Sequence, residues 1–290
     1  MKSGFVSVVG RPNVGKSTLV NALVGSKVTI TSPRPQTTRN TVRGIVDADG
    51  LQVVLVDTPG LHRPRTALGE RLNRLVEGSL AEADAVLFVI DATQKIGPGD
   101  RLIAERLGAA GTATVVVSNK IDAAGVDQIT EQLAEAGEWD FAAYIPISAL
   151  EGENLAPILS ELAVLLPEGP AYFPPGTTTD QPEELLFAEL IREKFLARLR
   201  DELPHSLAVV IEDTEEQPNG VLRISARLIV ERDSQKGIVI GKDGALIREA
   251  GTEARHEIET LLGTRVFLDL RARVEKDWQQ RPGMIERLGL

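Results

Sequence analysis

The chain has 290 residues, of which 42% are hydrophobic, and it carries a net charge of −10. This length and apolar content are enough to bury a sizeable core and favour two domains over one. The absence of cysteine excludes disulfides and thiolate metal sites, and the three histidines are too scattered to form a zinc set. The acidic balance argues against nucleic acid as a partner of the whole chain, so any such site must be locally basic.

No targeting or membrane-spanning segment is predicted. The apolar run in MKSGFVSVVGRPN is too short for a signal peptide, and no window approaches the length of a membrane span. Together with the absence of cysteine, this predicts a protein of the reducing cytoplasm.

The first half of the chain alternates short apolar runs with helical patterns. FVSVVG is followed by a helix in KSTLVNALVG and by a hairpin over 41–60 that turns at Asp49-Gly50. The strands AVLFVID, TATVVVSN and AAYIPI follow, and helices are predicted near 99–111, 125–138 and 154–166. Such Val- and Ile-rich runs are typical of strands buried on both faces. The pattern predicts an α/β domain over 1–166 with a mostly parallel sheet and one antiparallel edge strand.

The pattern changes after a proline-rich stretch. Residues 165–182 contain five prolines, which remove backbone donors, so 167–182 is interpreted as a linker. Beyond it the sequence predicts a helix over 183–202, strands over 206–213 and 221–231, and a short segment at 234–240. A glycine turn, a helix over 245–262, a strand over 264–274 and a tail complete a second, α+β domain over 183–290.

The segment GRPNVGKST, residues 10–18, matches G-x-x-x-x-G-K-[ST] and lies between a predicted strand and a predicted helix. Gly10 and Gly15 let the backbone curl so that its amides point at a phosphate. Lys16 would neutralise the β- and γ-phosphates, and Ser17 would ligate Mg²⁺. The predicted nucleotide contacts in this phosphate loop are Gly10, Arg11, Pro12, Asn13, Val14, Gly15, Lys16, Ser17 and Thr18.

Three further motifs follow strands, at the sheet edge where ligands of open α/β sheets bind. In DTPG, Asp57 is predicted to hold the Mg²⁺ shell, and the Gly60 amide would reach the γ-phosphate. In NKID, the Asp122 carboxylate can accept hydrogen bonds from N1 and N2 of guanine, which adenine does not offer. Asn119 and Lys120 would brace the loop and cover the base. In SAL, residues 148–150, backbone amides can contact O6 of guanine. The predicted contacts here are Asp57, Thr58, Pro59, Gly60, Leu61, Asn119, Lys120, Asp122, Ser148, Ala149 and Leu150.

On these motifs, residues 4–166 resemble the translation-factor-related class of small GTPases. The resemblance implies Mg²⁺-dependent hydrolysis of GTP to GDP and phosphate. The polar segment 31–44 would be the mobile switch, in which Thr37 or Thr38 completes Mg²⁺ coordination, with Thr38 favoured. A merely solvated loop is the alternative. Ser17, Thr38 and Asp57 form the predicted metal set.

The residue that promotes hydrolysis is less obvious from the sequence. Many GTPases place glutamine after the DxxG glycine, whereas this chain has Leu61, which predicts slow intrinsic turnover completed by a partner or a cation. Asn13 resembles the residue with which related GTPases help to hold K⁺, although it could equally be an ordinary turn residue. The predicted catalytic residues are Asn13, Lys16, Thr38 and Gly60.

A second glycine loop, GKDG at 241–244, could be a hairpin turn. Apolar residues recur every fourth position after it, from Leu246 to Leu262, which instead indicates a helix. A G-x-x-G loop between helices lets a nucleic-acid backbone approach closely. Basic residues exceed acidic ones by three from Leu222 to Arg248. The predicted RNA contacts are Ile240, Gly241, Lys242, Asp243, Gly244 and Arg248, whereas Ile238 and Ile240 could equally be core residues.

The order of elements over 183–275 resembles a type II KH domain. GRPNVGKST, QTTRN, DTPGL, NKID and SAL, followed by ELPHS and VIGKDG, are together similar to the Era family of bacterial GTPases. The resemblance implies that the KH domain binds near the 3′ end of 16S ribosomal RNA. It also implies a role in small (30S) ribosomal subunit biogenesis, with GTP hydrolysis coupled to RNA binding, and peripheral contact with the cytoplasmic membrane. Nothing in the sequence requires more than a monomer.

Two other functions stay open at this point. One is a protein-regulated GTPase switch whose C-terminal half binds protein rather than RNA. The other is a non-catalytic RNA chaperone with a vestigial nucleotide site, against which the intact Lys16, Ser17, Asp57 and Asp122 argue.

Overall fold

The computed structural model describes residues 1–32, 34, 37–60, 66–200 and 203–290. They divide into two compact units. The first contains residues 1–31, 37–60 and 71–180. The second contains 181–200 and 203–290, together with Ser32, Arg34 and 66–70.

The first half of the chain forms a six-stranded sheet with helices. The strands are β1 (Lys2–Val9), β2 (Val42–Ala48), β3 (Leu51–Asp57), β4 (Ala85–Asp91), β5 (Thr114–Asn119) and β6 (Ala143–Ile147). The helices are α1 (Lys16–Val24), α2 (Ala67–Ala81), α3 (Pro98–Ala110), α4 (Val126–Ala136) and α5 (Ala156–Leu165). The strand order is β2-β3-β1-β4-β5-β6, and β2 is the strand that pairs antiparallel. The predicted α/β class with one antiparallel edge strand is confirmed.

Both faces of the sheet are buried, as the apolar runs predict. Val6, Val8 and Leu87 belong to one core cluster, whereas Val9 and Phe88 belong to another, so alternate residues of a strand serve opposite faces. The hairpin turns where predicted, because Ala48 pairs with Leu51 and Gly50 adopts a φ of 72°. The helix α2 is a structural element for which the sequence analysis made no assignment.

The proline-rich stretch packs against strands β3 and β2 of the first sheet. Gln52 is fully buried on β3, where its Oε1 accepts hydrogen bonds from the amides of Tyr172 and Phe173 at 2.7 and 3.0 Å. Further along, the amide of Ile45 on β2 donates to the carbonyl of Thr178 at 2.9 Å. Residues up to Asp180 therefore pack as part of the first unit.

The second unit has a three-stranded sheet with helices. Its elements are α6 (Glu183–Leu196), α7 (Leu203–Ser206), β7 (Ala208–Glu216), β8 (Leu222–Val230), α8 (Asp233–Ile240), α9 (Ala245–Leu262), β9 (Val266–Val274) and α10 (Pro282–Arg287). In the order β7-β8-β9, the first pair is antiparallel and the second parallel. This is the predicted type II KH arrangement. The first helix ends at Leu196, earlier than the predicted 202, and Asp201 and Glu202 lie outside the described residues.

The predicted stripe on α9 is confirmed, because Ala250, Ala254 and Ile258 are fully buried. On α8 the core residue is Val239, whereas Ile238 is 56% exposed. The tail is also packed, since Trp278 is fully buried and its Nε1 donates to the carbonyl of Ser206 at 2.9 Å.

Within the described parts of the chain, every helix is too short or too polar to cross a membrane.

Candidate nucleotide and nucleic-acid sites

The phosphate loop lies between β1 and α1, at the carboxyl edge of the sheet. Gly15 has a φ of 98°, and a Cβ there would lie 2.2 Å from Nδ2 of Asn119, so only glycine fits. Lys16 is 7% exposed, and its Nζ donates to the carbonyls of Gly10 and Arg11 at 3.2 and 3.0 Å. The ammonium group is therefore held against the backbone of the phosphate loop, which directly precedes α1.

Three hydroxyl groups surround the carboxylate of Asp57 at the end of β3. The hydroxyls of Ser17 and Thr29 donate to its Oδ2 at 2.8 and 2.9 Å, and that of Thr38 lies 3.3 Å from the same oxygen. The Ser17 and Thr38 hydroxyls are 3.0 Å apart. The other oxygen, Oδ1 of Asp57, is buried and makes no hydrogen bond to a described residue.

These oxygens are the hard ligands that Mg²⁺ prefers, and the buried Oδ1 is an acceptor that a cation would satisfy. Ser17, Thr38 and Asp57 therefore fit a magnesium ion. Of the two candidate threonines, Thr38 is the one whose hydroxyl lies in the cluster. The described residues contain no group of three or more His, Cys, Asp or Glu side chains that could hold a metal, so a carboxylate-rich centre is not formed there.

Burial shifts the pKa of both charged groups. It lowers the pKa of Lys16 to about 8, although the negative charge of Asp57 opposes the shift. Burial raises the pKa of Asp57, and Lys16 with the three hydroxyl groups only partly offset that effect. The partners of each group within the protein thus do not fully offset the cost of burying its charge. This is typical of a site that receives further charges from a ligand.

The residues of NKID brace neighbouring loops. Asn119 donates from Nδ2 to the carbonyl of Val14 at 2.8 Å and accepts from the amide of Ala149 at 2.9 Å. Ser148 donates to Oδ1 of Asp122 at 2.5 Å, and the Asp122 residue is exposed. The carboxylate is therefore oriented by the SAL segment and open to a ligand.

The side chains of two predicted nucleotide contacts, Thr58 and Arg11, bond within the protein. Thr58 is fully buried, and its hydroxyl donates to the carbonyl of Val8 at 2.8 Å. Arg11 pairs with Asp100 at the start of α3, at 3.0 Å. The Leu150 side chain is 75% exposed beside the NKID loop. Leu61, predicted as a nucleotide contact and as the replacement for glutamine, lies outside the described residues.

The second glycine loop joins α8 to α9, so the alternative of a hairpin turn is wrong. Gly241 and Gly244 have φ values of 77° and 75°, and Asp243 between them has 52°. Lys242 and Arg248 are exposed, and Arg248 donates to the carbonyl of Asp243 at 2.8 Å. The loop therefore presents backbone and positive charge to solvent.

A groove of about 240 Å³ lies beside this loop, between α9 and β9. A Cβ on Gly251 would lie 3.0 Å from Cδ1 of Leu270, so this glycine permits the close approach of the helix to the strand. The lining residues are Ile247, Arg248, Gly251, Thr252, Arg255, Leu268 and Leu270.

Sequence reasoning missed several of the residues above. Thr29 completes the hydroxyl cluster at Asp57, but its sequence neighbourhood carries no motif. Gly251, in the middle of a predicted helix where glycine is unfavourable, was the one signal that could have pointed to the groove.

Comparisons with known proteins agree with this geometry. Residues 5–120 match a family model described as 50S ribosome-binding GTPase, and residues 202–279 match the KH domain model. The chain is 55% identical to GTPase Era of Mycobacterium avium and of Mycobacterium tuberculosis, over 99% of this chain and 98% of each relative.

Two crystal structures are similar over the whole chain, both with a TM-score of 0.96 and coverage of 100% of this chain and 99% of the other. One is a variant of Aquifex aeolicus Era bound to GDP·AlF₄⁻, at 38% identity. The other is Era in complex with MgGDPNP and nucleotides 1506–1542 of 16S ribosomal RNA, at 39% identity.

The fold and the sites define a P-loop GTPase unit followed by a type II KH unit. Relatives at this identity and coverage then fix the family: the chain belongs to the Era GTPases.

Proposed function

We propose that this protein hydrolyses GTP to GDP and phosphate, and that it binds 16S ribosomal RNA near its 3′ end through its KH unit during assembly of the small ribosomal subunit. The observation that carries the proposal is the presence, in one chain of this family, of the Asp57 hydroxyl cluster, the open Asp122 carboxylate and the exposed GKDG loop.

In this proposal the nucleotide phosphates lie against residues 10–18, with Lys16 donating to the β- and γ-phosphates. Asp122 selects guanine, and Ala149 with its neighbours contacts the base edge. Ser17, Thr38 and Asp57 hold Mg²⁺, which, when bound, would neutralise charge on the phosphate oxygens. The amide of Gly60 is assigned to the γ-phosphate.

The RNA backbone would lie against Gly241, Lys242 and Gly244, where no glycine side chain blocks its approach. Ile240, Asp243 and Arg248 complete the proposed contacts. The adjoining groove between α9 and β9 has the mixed apolar and polar lining suited to base edges.

RNA binding is tested with a Gly241→Asp, Gly244→Asp variant, using anisotropy of a labelled 16S 3′-end oligonucleotide over a salt series. We expect affinity to fall at least about tenfold, because two carboxylates would meet the phosphates. Gly220→Asp, on the β7–β8 turn, is the matched control for Gly244→Asp, since both glycines have a φ of 75° with open space around an added Cβ. A Cβ on Gly241 would lie 2.8 Å from the backbone nitrogen of Leu246, so circular dichroism is used to verify that the double variant is folded. Undiminished binding by the double variant would instead favour a C-terminal unit that binds protein.

Catalysis is tested by measuring GTP turnover with and without isolated small subunits. Stimulation by the subunits supports coupled hydrolysis, whereas a preference for ATP over GTP would contradict the nucleotide assignment.

We extend the proposal to K⁺ at Asn13. This residue adopts a φ of 66° and its carbonyl accepts from Nζ of Lys120 at 2.7 Å, so its conformation is held from outside the loop. Faster turnover in K⁺ than in Na⁺, lost in Asn13→Ala, is the expected result. Equal rates in the two salts would remove the cation from the mechanism.

The family resemblance is also the basis for proposing a cytoplasmic monomer with peripheral contact to the membrane. Cell fractionation and sedimentation analysis test these two assignments.

A further inference from the structure

Asp91 is a buried carboxylate with no role in the sequence analysis. It ends β4, where it pairs in register with Asn119 at the end of β5. It is 6% exposed, yet it lies at the sheet edge that carries the nucleotide motifs. An acidic group buried at this edge calls for a partner of opposite charge.

That partner is Lys120 of the NKID motif. Its Nζ donates to Oδ2 of Asp91 at 2.7 Å, while the amide and hydroxyl of Thr93 donate to Oδ1 at 2.9 and 2.6 Å. Burial alone would raise the pKa of Asp91, but the bonds from Lys120 and Thr93 outweigh it, and the pKa is lowered. The carboxylate is therefore ionised and committed to the lysine at neutral pH.

Lys120 is held in a conformation that it would not adopt unaided. Its φ is 73°, in the left-handed region that is unfavourable for lysine. The same Nζ also donates to the carbonyl of Asn13, at 2.7 Å. An ammonium group has three N–H donors. Two of them thus tie the lysine to β4 and to the phosphate loop.

We infer that Asp91 is a positioning residue for guanine-nucleotide binding: it anchors Lys120 so that this side chain is preorganised over the base and locks the base loop to the phosphate loop. The inference rests on the proposed function and deepens it. Since Asp91 would act on bound substrate and transition state alike, its loss raises KM and the Kd for GDP without changing kcat. Unanchoring one long side chain predicts a loss of about fivefold to tenfold in affinity.

The test uses the full chain and fluorescent GDP. Asp91→Asn keeps an oxygen for Thr93 but removes the negative charge that holds Lys120. We expect Kd for GDP and KM for GTP to rise about fivefold to tenfold, with kcat within about twofold. Thr93→Val removes one hydrogen bond to the same carboxylate but leaves the ion pair, so its Kd should stay within about twofold. An equal loss of GDP affinity in both variants would show that the Asp91 carboxylate acts only by stabilising the turn at Thr93, and would overturn the inference.

A comparison in the Lys120→Met background shows whether Asp91 acts through the lysine. Asp91→Asn, Lys120→Met should bind GDP no worse than Lys120→Met alone, and a further loss of about fivefold to tenfold in the double variant would refute the inference. Both proteins of this comparison lack the lysine, so the comparison does not use the single Asp91→Asn variant. The wild-type chain distinguishes the two proposals: failure to bind GDP would contradict the proposed function, whereas normal binding with an unaffected Asp91→Asn would contradict this inference alone.

Discussion

At the scale of single residues, the nucleotide site is defined by charges whose burial is not balanced within the protein. Lys16 and Asp57 are both buried. Burial lowers the pKa of Lys16 and raises the pKa of Asp57, and both shifts favour the uncharged form of the group. Such groups lower the stability of the protein without ligand. Their presence is explained by the charges that phosphate and Mg²⁺ would bring.

Lys16 gives the site a pH dependence. Its pKa is about 8 in the folded protein and 10.5 in the unfolded chain, so between these values the unfolded chain binds more protons. The free energy of unfolding of the unliganded protein should therefore rise as pH increases from 8 to 10.5, by about 3 kcal/mol if other groups do not change. Urea titrations without nucleotide measure this trend, and Lys16→Met should lack it.

Nucleotide affinity should show the opposite trend, because the phosphates favour protonated Lys16. Above pH 8, binding must take up a proton, so affinity should fall by up to about tenfold per pH unit. Calorimetry in buffers of different ionisation enthalpy detects the proton directly. Lys16→Arg stays charged over this range, and a slope as steep as that of wild type would contradict the assignment to Lys16.

Asp122 determines which base is accepted. Asp122→Asn replaces one acceptor with a donor, so it should bind guanine nucleotides at least about a hundredfold more weakly and favour xanthine nucleotides, whose C2 carries an oxygen. Competition between GTP and XTP for the site measures the change. An unaltered preference for GTP would mean that the Asp122 carboxylate does not contact the base.

At the scale of elements, the ends of parallel strands bring together motifs that are far apart in the sequence. β3, β4 and β5 end at Asp57, Asp91 and Asn119, and β1 leads directly into the phosphate loop. The same sheet holds the proline-rich stretch through Gln52 on β3 and through the edge strand β2. This stretch therefore follows the strand that comes directly after the proposed switch segment.

Gln52→Ala should show how strongly that stretch is held. The side chain accepts two backbone N–H bonds and donates one to the carbonyl of Phe173 at 2.9 Å, all in a buried position. Its loss should lower the free energy of unfolding by about 3 kcal/mol, because backbone donors would be left without acceptors. Fluorescence of Trp139 in a Trp278→Phe background reports on the first unit alone.

Glu105→Ala, at an exposed position of helix α3 in the same unit, is the control and should change stability by less than about 0.5 kcal/mol. A Gln52→Ala protein as stable as this control would show that solvent replaces the three hydrogen bonds.

At the scale of the whole molecule, two compact units with separate sites are joined in one chain. If nucleotide state alters RNA binding, RNA must alter nucleotide binding by the same factor, since the two equilibria share one thermodynamic cycle. Coupling between protein sites is typically about 5- to 150-fold. Small subunits should therefore discriminate between the GDP form and the form with a non-hydrolysable GTP analogue.

The prediction is checked by measuring both halves of the cycle: affinity for small subunits in each nucleotide state, and affinity for each nucleotide with and without subunits. Coupling is supported if the nucleotide changes subunit affinity, and the subunits change nucleotide affinity, by the same factor of more than about fivefold. A subunit affinity that is the same in both states would mean that the two units act independently.

The sequence by itself determined the fold class and the positions of the motifs. Strand and helix periods are local properties, and glycine loops such as GRPNVGKST and GKDG require particular residues at fixed spacing. Only the tertiary structure decided which residues meet across those motifs. Thr29 at Asp57, Asp91 at Lys120 and Gln52 against Tyr172 are contacts between residues 28, 29 and 120 positions apart. Such contacts follow from strand order and register, which no local pattern encodes.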